Sequence, residues 1–174
     1  LDEAGRGPLA GSVVAAAVII NGRPSLALLG ILLKKVKDSK KLNAKNREEI
    51  YQILIKHPAI EWGIGVVSEK VIDRINIKNA AELAMEKALK KLNKKPDFLI
   101  IDGNNIKNKN LRAINHKLVV GGDEKVFSCA AASILAKVTR DRIMAKENVK
   151  YPQYGFAKHK GYPTKEHKRI LKKY

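Results

Sequence analysis

One cysteine is the entire thiol inventory of this 174-residue chain. Cys129 has no internal partner, so a disulfide framework is excluded and a reducing cytoplasm is implied. It stands between Ser128 and Ala130 in a run of small residues, the setting of a packed thiol rather than a reactive one. Long hydrophobic runs are also missing. The longest, Val13 to Ile20, falls far short of the ~20 residues a membrane span needs, and no signal peptide is visible. No His/Cys spacing suits zinc. Without internal repeats or a linker-like stretch, the expectation is one domain over 1–174. The chain opens on Leu1 rather than Met, so residues are expected to precede it.

Acidic side chains are scarce too. Seventeen Asp and Glu face 35 Lys and Arg, a formal net charge of +18 with a pI near 10.0. That balance points to a polyanionic partner, usually nucleic acid. The plainer account is a solubilising surface in a Lys-, Ile- and Asn-rich chain. Hydrophobic residues make up 45%, enough for a globular core.

Strands and helices alternate in the pattern. Val13 to Ile20 reads as a buried strand. Leu26 to Leu33 is a short apolar segment of one or two helical turns, and Asp38-Ser39-Lys40-Lys41-Leu42 is a polar loop. Asn43 caps a helix running to about His57. Ile60 to Val67 alternates loosely, as a strand would. A short helix from Ser68 precedes the clearest one, about Asn79 to Leu92, striped by Ala81, Met85, Ala88, Leu89 and Leu92. Phe98–Ile101 and Lys117–Val120 are further strands. A long helix spans about Ser128 to Asn148, and a last one follows Pro163-Thr164. The fold class expected is α/β, a central mixed sheet flanked by helices.

The few acids are placed with a pattern. Three strands are expected to end in them: Asp2-Glu3, Asp102 and Asp123. Rigid strands aim end residues at a shared point, and neighbouring strands lie ~4.8 Å apart. Carboxylates gathered so closely repel unless cations compensate them, and Mg²⁺ or Mn²⁺ prefer oxygen ligands. Each acid alone has an ordinary reading: Asp2-Glu3 as a solvated terminus, Asp102-Gly103-Asn104 as a turn. Successive strand residues face opposite ways, so Asp2 and Glu3 share a site only if the strand ends or bends, which Ala4-Gly5-Arg6-Gly7-Pro8 would allow. Asp141 falls in line with Ala131, Ile134, Val138 and Ala145 on the long helix. A carboxylate on an apolar stripe is paired or functional, which makes it a metal ligand or, more simply, a supporting residue.

Taken together, these segments resemble type 2 ribonuclease H, the ribonuclease HII family. The matching stretches are Asp2-Glu3-Ala4-Gly5-Arg6-Gly7-Pro8-Leu9-Ala10-Gly11, Asp38-Ser39-Lys40-Lys41-Leu42, Ile101-Asp102-Gly103-Asn104 and Gly121-Gly122-Asp123. They continue through Ala131-Ala132-Ser133-Ile134-Leu135-Ala136-Lys137-Val138, Arg140-Asp141, Tyr151-Pro152 and His159-Lys160-Gly161-Tyr162.

The resemblance implies a ribonuclease H-like fold. It also implies hydrolysis of RNA in RNA–DNA hybrids, including single ribonucleotides embedded in duplex DNA, which would leave 5′-phosphate and 3′-hydroxyl ends. Asp2, Glu3, Asp102 and Asp123 match the four catalytic acids, which would ligate two Mg²⁺ or Mn²⁺ ions. Gly5-Arg6-Gly7 resembles the loop that reads the ribose 2′-hydroxyl, a donor and acceptor found only in RNA. Tyr162 resembles the tyrosine that stacks on the neighbouring deoxyribose. Lys40 and Ser133 are the candidate phosphate contacts, Lys40 preferred for its charge. His159 is expected at the surface or in a structural role. Arg6 stands where the related type 3 enzymes usually carry Lys.

Two departures from the family pattern matter. Only Leu1 precedes the Asp-Glu pair, so the strand holding Asp2 is expected to be weakly anchored. The chain also stops at Tyr174, short of the family's usual extension. A monomer is expected. The competing classes are a basic, non-catalytic nucleic-acid-binding protein and another two-metal nuclease of the same fold.

Overall fold

The computed structural model describes residues 1–22 and 43–174. The expected segment Leu26 to Leu33 and the loop Asp38 to Leu42, Lys40 included, lie outside the described residues. Among the described residues five strands form: β1 (Asp2–Ala4), β2 (Val13–Ile20), β3 (Ile60–Val67), β4 (Phe98–Asp102) and β5 (Asn115–Val119). The helices of the described residues are α1 (Ala44–Lys56), α2 (Glu69–Leu89), α3 (Lys109–Arg112), α4 (Gly122–Lys125), α5 (Phe127–Lys150), α6 (Phe156–His159) and α7 (Lys165–Lys173). A 3₁₀ turn at Pro152–Tyr154 follows α5.

Strands β1, β2 and β3 pair antiparallel in that order, and β4 pairs with β5 in parallel. Two backbone bonds join the ladders edge to edge: the Leu1 amine donates to Ile100 O at 2.8 Å, and Asp102 N donates to Leu1 O at 3.0 Å. The layer is therefore mixed, as expected. Leu1 is buried, and β1 is bonded on both sides. This corrects the expectation of weak anchorage: the strand carrying Asp2 is central, gripped by β2 on one edge and joined to β4 through Leu1 on the other.

Alternation along β2 sets the layers. Val13, Ala15 and Ala17 pack with Ala80, Ala84 and Ala88 of α2, while Val14 and Ala16 pack with Ala131, Ile134 and Leu135 of α5 and Ile50 and Leu54 of α1. A strand covered on both faces needs no polar alternation, which explains the unbroken apolar run. Helix α2 lies close against β3. A Cβ at Gly65 would collide with the Ala84 carbonyl, so only glycine admits the helix there.

The two helices expected near Ser68 and Asn79 meet in α2 at a break. Asn76 is non-helical (φ 61°, ψ 164°), and its Oδ1 accepts from Lys78 N at 3.0 Å and Asn79 N at 3.2 Å, capping the second half. Asn43 caps α1 through Asn46 N, as its position implied. Among the described residues no helix is long and apolar enough to cross a membrane.

Candidate active site

The meeting of β1 with β4 positions the acids. Asp102 is the last residue of β4, as expected of a strand-end acid. Asp2 and Glu3 instead open β1, which stops at Ala4 where Gly5 (φ +113°) turns the chain. Asp123 is also not on a strand end. Gly121 (φ +66°) turns the backbone after β5, and Asp123 sits within the short helix α4. Two glycines in succession carried that signal, because they break a strand and start a turn. Asp123 N lies 3.4 Å from Asp102 Oδ2, which brings the two acids side by side.

Within β1 the faces alternate as strand geometry requires. Asp2 shares Ala4's side, toward α5, where the Ser133 hydroxyl bonds it. Glu3 shares Leu1's side, toward α2. Both still reach one place, because the strand ends one residue later. Asp2, Glu3, Asp102 and Asp123 all line an open cleft of about 530 Å³.

Burial strains this group. Asp2 is pushed up to about 7 by desolvation and then by the Glu3 charge, against a downward pull from the Glu3 amide and Ser133. Burial also raises Glu3, and Arg6 opposes it, donating from Nη1 to Glu3 Oε1 at 2.9 Å. The other oxygen, Glu3 Oε2, is buried without a hydrogen-bond partner among the described residues. Desolvated carboxylates with an unmatched oxygen call for a cation.

Among the described residues no three His, Cys, Asp or Glu side chains form a ready-made metal cage. A magnesium-type site for phosphate chemistry does not require one. Mg²⁺ keeps several waters and takes one or two carboxylates plus substrate phosphate oxygens. All-oxygen donors converging on an open cleft fit that pattern.

The rim carries the remaining expected residues. Gly5, Arg6, Ser133 and Tyr162 line the cleft, and a Cβ on Gly7 would stand 3.7 Å from Tyr162 Cε1. Gly5 is required twice over, by its positive φ and because a Cβ would lie 2.5 Å from Arg140 Nε. Lys40 is not among the described residues.

Two lining cations, Arg47 and Lys137, were not anticipated. Lys137 lies 5.3 Å from the Tyr162 ring centre and donates to Asp141 Oδ1 at 2.8 Å. The i,i+4 spacing of Lys137 and Asp141 was the signal that could have found this pair, and the pair explains Asp141, which leaves the apolar stripe to hold Lys137 at the rim. His159 is structural, as expected, but buried rather than superficial, and it stacks on His167 with ring centres 4.2 Å apart. Cys129 is buried, and burial raises its thiol.

Comparison with known proteins gives a consistent result. The family model for ribonuclease HII matches residues 1–174. Ribonuclease HII of Caldicellulosiruptor bescii is 47% identical over 174 residues, covering 100% of this chain and 79% of that protein. Ribonuclease HII of Acetivibrio thermocellus is 50% identical, again over 100% of this chain but 64% of its own length. The crystal structure of the ribonuclease H2 from Pyrococcus horikoshii OT3 superposes with a TM-score of 0.79 at 30% identity, covering 99% of this chain and 84% of that one.

Proposed function

This chain belongs to the ribonuclease HII family, and we propose that it is a metal-dependent endoribonuclease. It hydrolyses the RNA strand of RNA–DNA hybrids and cuts 5′ of single ribonucleotides embedded in duplex DNA, leaving 5′-phosphate and 3′-hydroxyl ends. The observation that carries this reading is the cleft itself. Carboxylates from β1, β4 and α4 line it, the two from β1 desolvated by burial, and a glycine loop facing a tyrosine forms its rim.

Bound Mg²⁺ or Mn²⁺, two ions in the productive complex, would supply water activation and charge stabilisation at the leaving 3′-oxygen. Asp2, Glu3, Asp102 and Asp123 would hold them. The backbone of Gly5-Arg6-Gly7 approaches the 2′-hydroxyl without an intervening Cβ at either glycine. Tyr162, 38% exposed, offers a face to the adjoining deoxyribose. Ser133 steadies Asp2 and stands within reach of the phosphate path, where Lys137 and Arg47 add positive charge. The protein works as a single-domain monomer in the cytoplasm. A shared β2 that serves both cores supports the single domain, and one buried thiol supports the reducing compartment.

The test is a DNA duplex carrying one ribonucleotide, offered with Mg²⁺ or Mn²⁺ beside all-DNA and all-RNA duplexes. Cleavage 5′ of the ribonucleotide, lost on chelation, is expected. Binding without cutting would make the protein a non-catalytic binder, and cutting of all-DNA would make it a different nuclease.

A further inference from the structure

Arg140 is the largest fully buried side chain of the described residues. Its guanidinium donates to three backbone carbonyls: Nε to Ser12 O at 2.9 Å, Nη1 to Lys160 O at 2.9 Å and Nη2 to Ala10 O at 3.0 Å. No carboxylate takes part in these bonds. Burying a cation this way is costly, and an apolar residue would fill the space more cheaply. What an apolar residue lacks is the rigid fork, which binds several acceptors at fixed angles.

The acceptors belong to two separate stretches. Ala10 and Ser12 close the loop that begins at Gly5-Arg6-Gly7, and Lys160 lies two residues before Tyr162. Gly5 packs directly on the guanidinium, and Arg140 Cζ lies 5.9 Å from the Tyr162 ring centre. Leu9 N adds a direct link to Gly161 O at 2.8 Å. On the far side, His159 Nδ1 accepts from Gly161 N, and His167 Nδ1 faces Tyr162 O at 2.9 Å. The tyrosine stretch is thus fixed to α6 and α7 by the imidazoles of His159 and His167, and to the glycine loop through Arg140.

We propose that Arg140 is a positioning residue that sets the gap between the Gly5-Arg6-Gly7 loop and the Tyr162 ring, and through it the selectivity for a ribose followed by a deoxyribose. The proposal rests on the function given above. A junction substrate must fill both walls at once, whereas a uniform hybrid offers no deoxyribose beside the ribose in the cut strand. Misplacing such walls by about 1 Å costs on the order of 10²-fold.

Arg140→Lys keeps the charge and loses the fork. Assayed below its unfolding temperature, it is expected to lose roughly 10–100-fold in kcat/KM on the single-ribonucleotide duplex and under about 3-fold on a uniform hybrid. Leu111→Ala, a buried residue in the other core, serves as a destabilised control and keeps the ratio of the two substrates unchanged. Hydrogen exchange at amides 9–12 and 160–162 quickens in Arg140→Lys and not in the control. An unchanged substrate ratio in folded Arg140→Lys overturns the proposal.

Should that variant fail to fold, Gly161→Ala takes its place. Its methyl would press on the Ala10 carbonyl and pry the same walls apart. It must lose the ratio too, and retention overturns the proposal equally. If the unmodified protein does not cut at all, the proposed activity fails, and local exchange in Arg140→Lys still decides whether the clamp exists.

Discussion

Glu82 and Glu86 on α2 are as buried as Asp2 in the cleft, each 8% exposed, yet their surroundings are opposite. Glu82 accepts from Lys107 N and from Asn108 N, the latter at 2.7 Å. Glu86 accepts from Lys90 Nζ, Asn108 Nδ2 and Asn110 Nδ2, and these donors, the Lys90 bond first, pull it down to about 2. Asp2 is pushed up to about 7, and among the described residues Glu3 Oε2 has no hydrogen-bond partner. Their exposed fractions are equal, but desolvation weighs most on Asp2 and hydrogen-bond donors weigh most on Glu86. The α2 pair is finished, and it pins the stretch 107–110 that follows the Asp102 loop. The cleft pair has fewer donors, with Arg6 serving one oxygen of Glu3, and such perturbed carboxylates in a cleft mark a candidate functional site.

The largest break in that contrast comes from removing a cleft acid. Asp102→Asn is expected to slow single-turnover cleavage by about 10³-fold or more, while affinity for a ribonucleotide duplex stays within about threefold. Near-normal rates would remove Asp102 from the site.

Next is stability without metal. Asp2 in the folded chain holds its proton more tightly than the ordinary 3.8, so its contribution is fully present below about pH 4 and drains away as pH rises to about 7. In chelator, Asp2→Asn should therefore be more stable than the unmodified protein at pH 8, by on the order of 2–4 kcal/mol, and equal to it near pH 4. Coincident urea midpoints at pH 8 would show that burial does not strain the carboxylate.

The smallest effect, of opposite sign, belongs to α2. Glu86→Gln should cost about 1–2 kcal/mol at pH 7. Glu86 is depressed, so its contribution is present above the ordinary 4.5 and lost as pH falls through about 2, where the two unfolding curves should merge.

Much of this contrast was readable in the chain, though unevenly. Strands β2, β3 and β4 and helices α1 and α5 announced themselves by apolar runs, an Asn cap and helical spacing, all local signals. The cleft acids were found by combining strand ends with a family resemblance. The α2 acids were not, because apart from Lys90, four residues beyond Glu86, their donors lie about two dozen residues away in a stretch of Asn and Lys without periodicity. Arg140 had a signal that was misassigned. Ala132, Ala136, Arg140 and Met144 recur every fourth residue and are all buried, so the apolar line ran through Arg140 rather than Asp141. A charged residue on that line has no visible partner in the sequence, since only the completed loops supply the carbonyls that satisfy it.

The contacts that build the cleft join parts of the chain far apart in sequence: 99 residues between Leu1 and Ile100, 128 between Arg140 and Ser12, 130 between Arg140 and Ala10. Contacts of such separation repay their loop-closure cost late in folding. During synthesis from the N-terminus, the carboxylates of β1 emerge long before β4, α4 and the Tyr162 stretch that turn them into a cleft. The cleft lined by Asp2, Glu3, Asp102, Asp123 and Tyr162 is therefore complete only after residue 162 has emerged and docked.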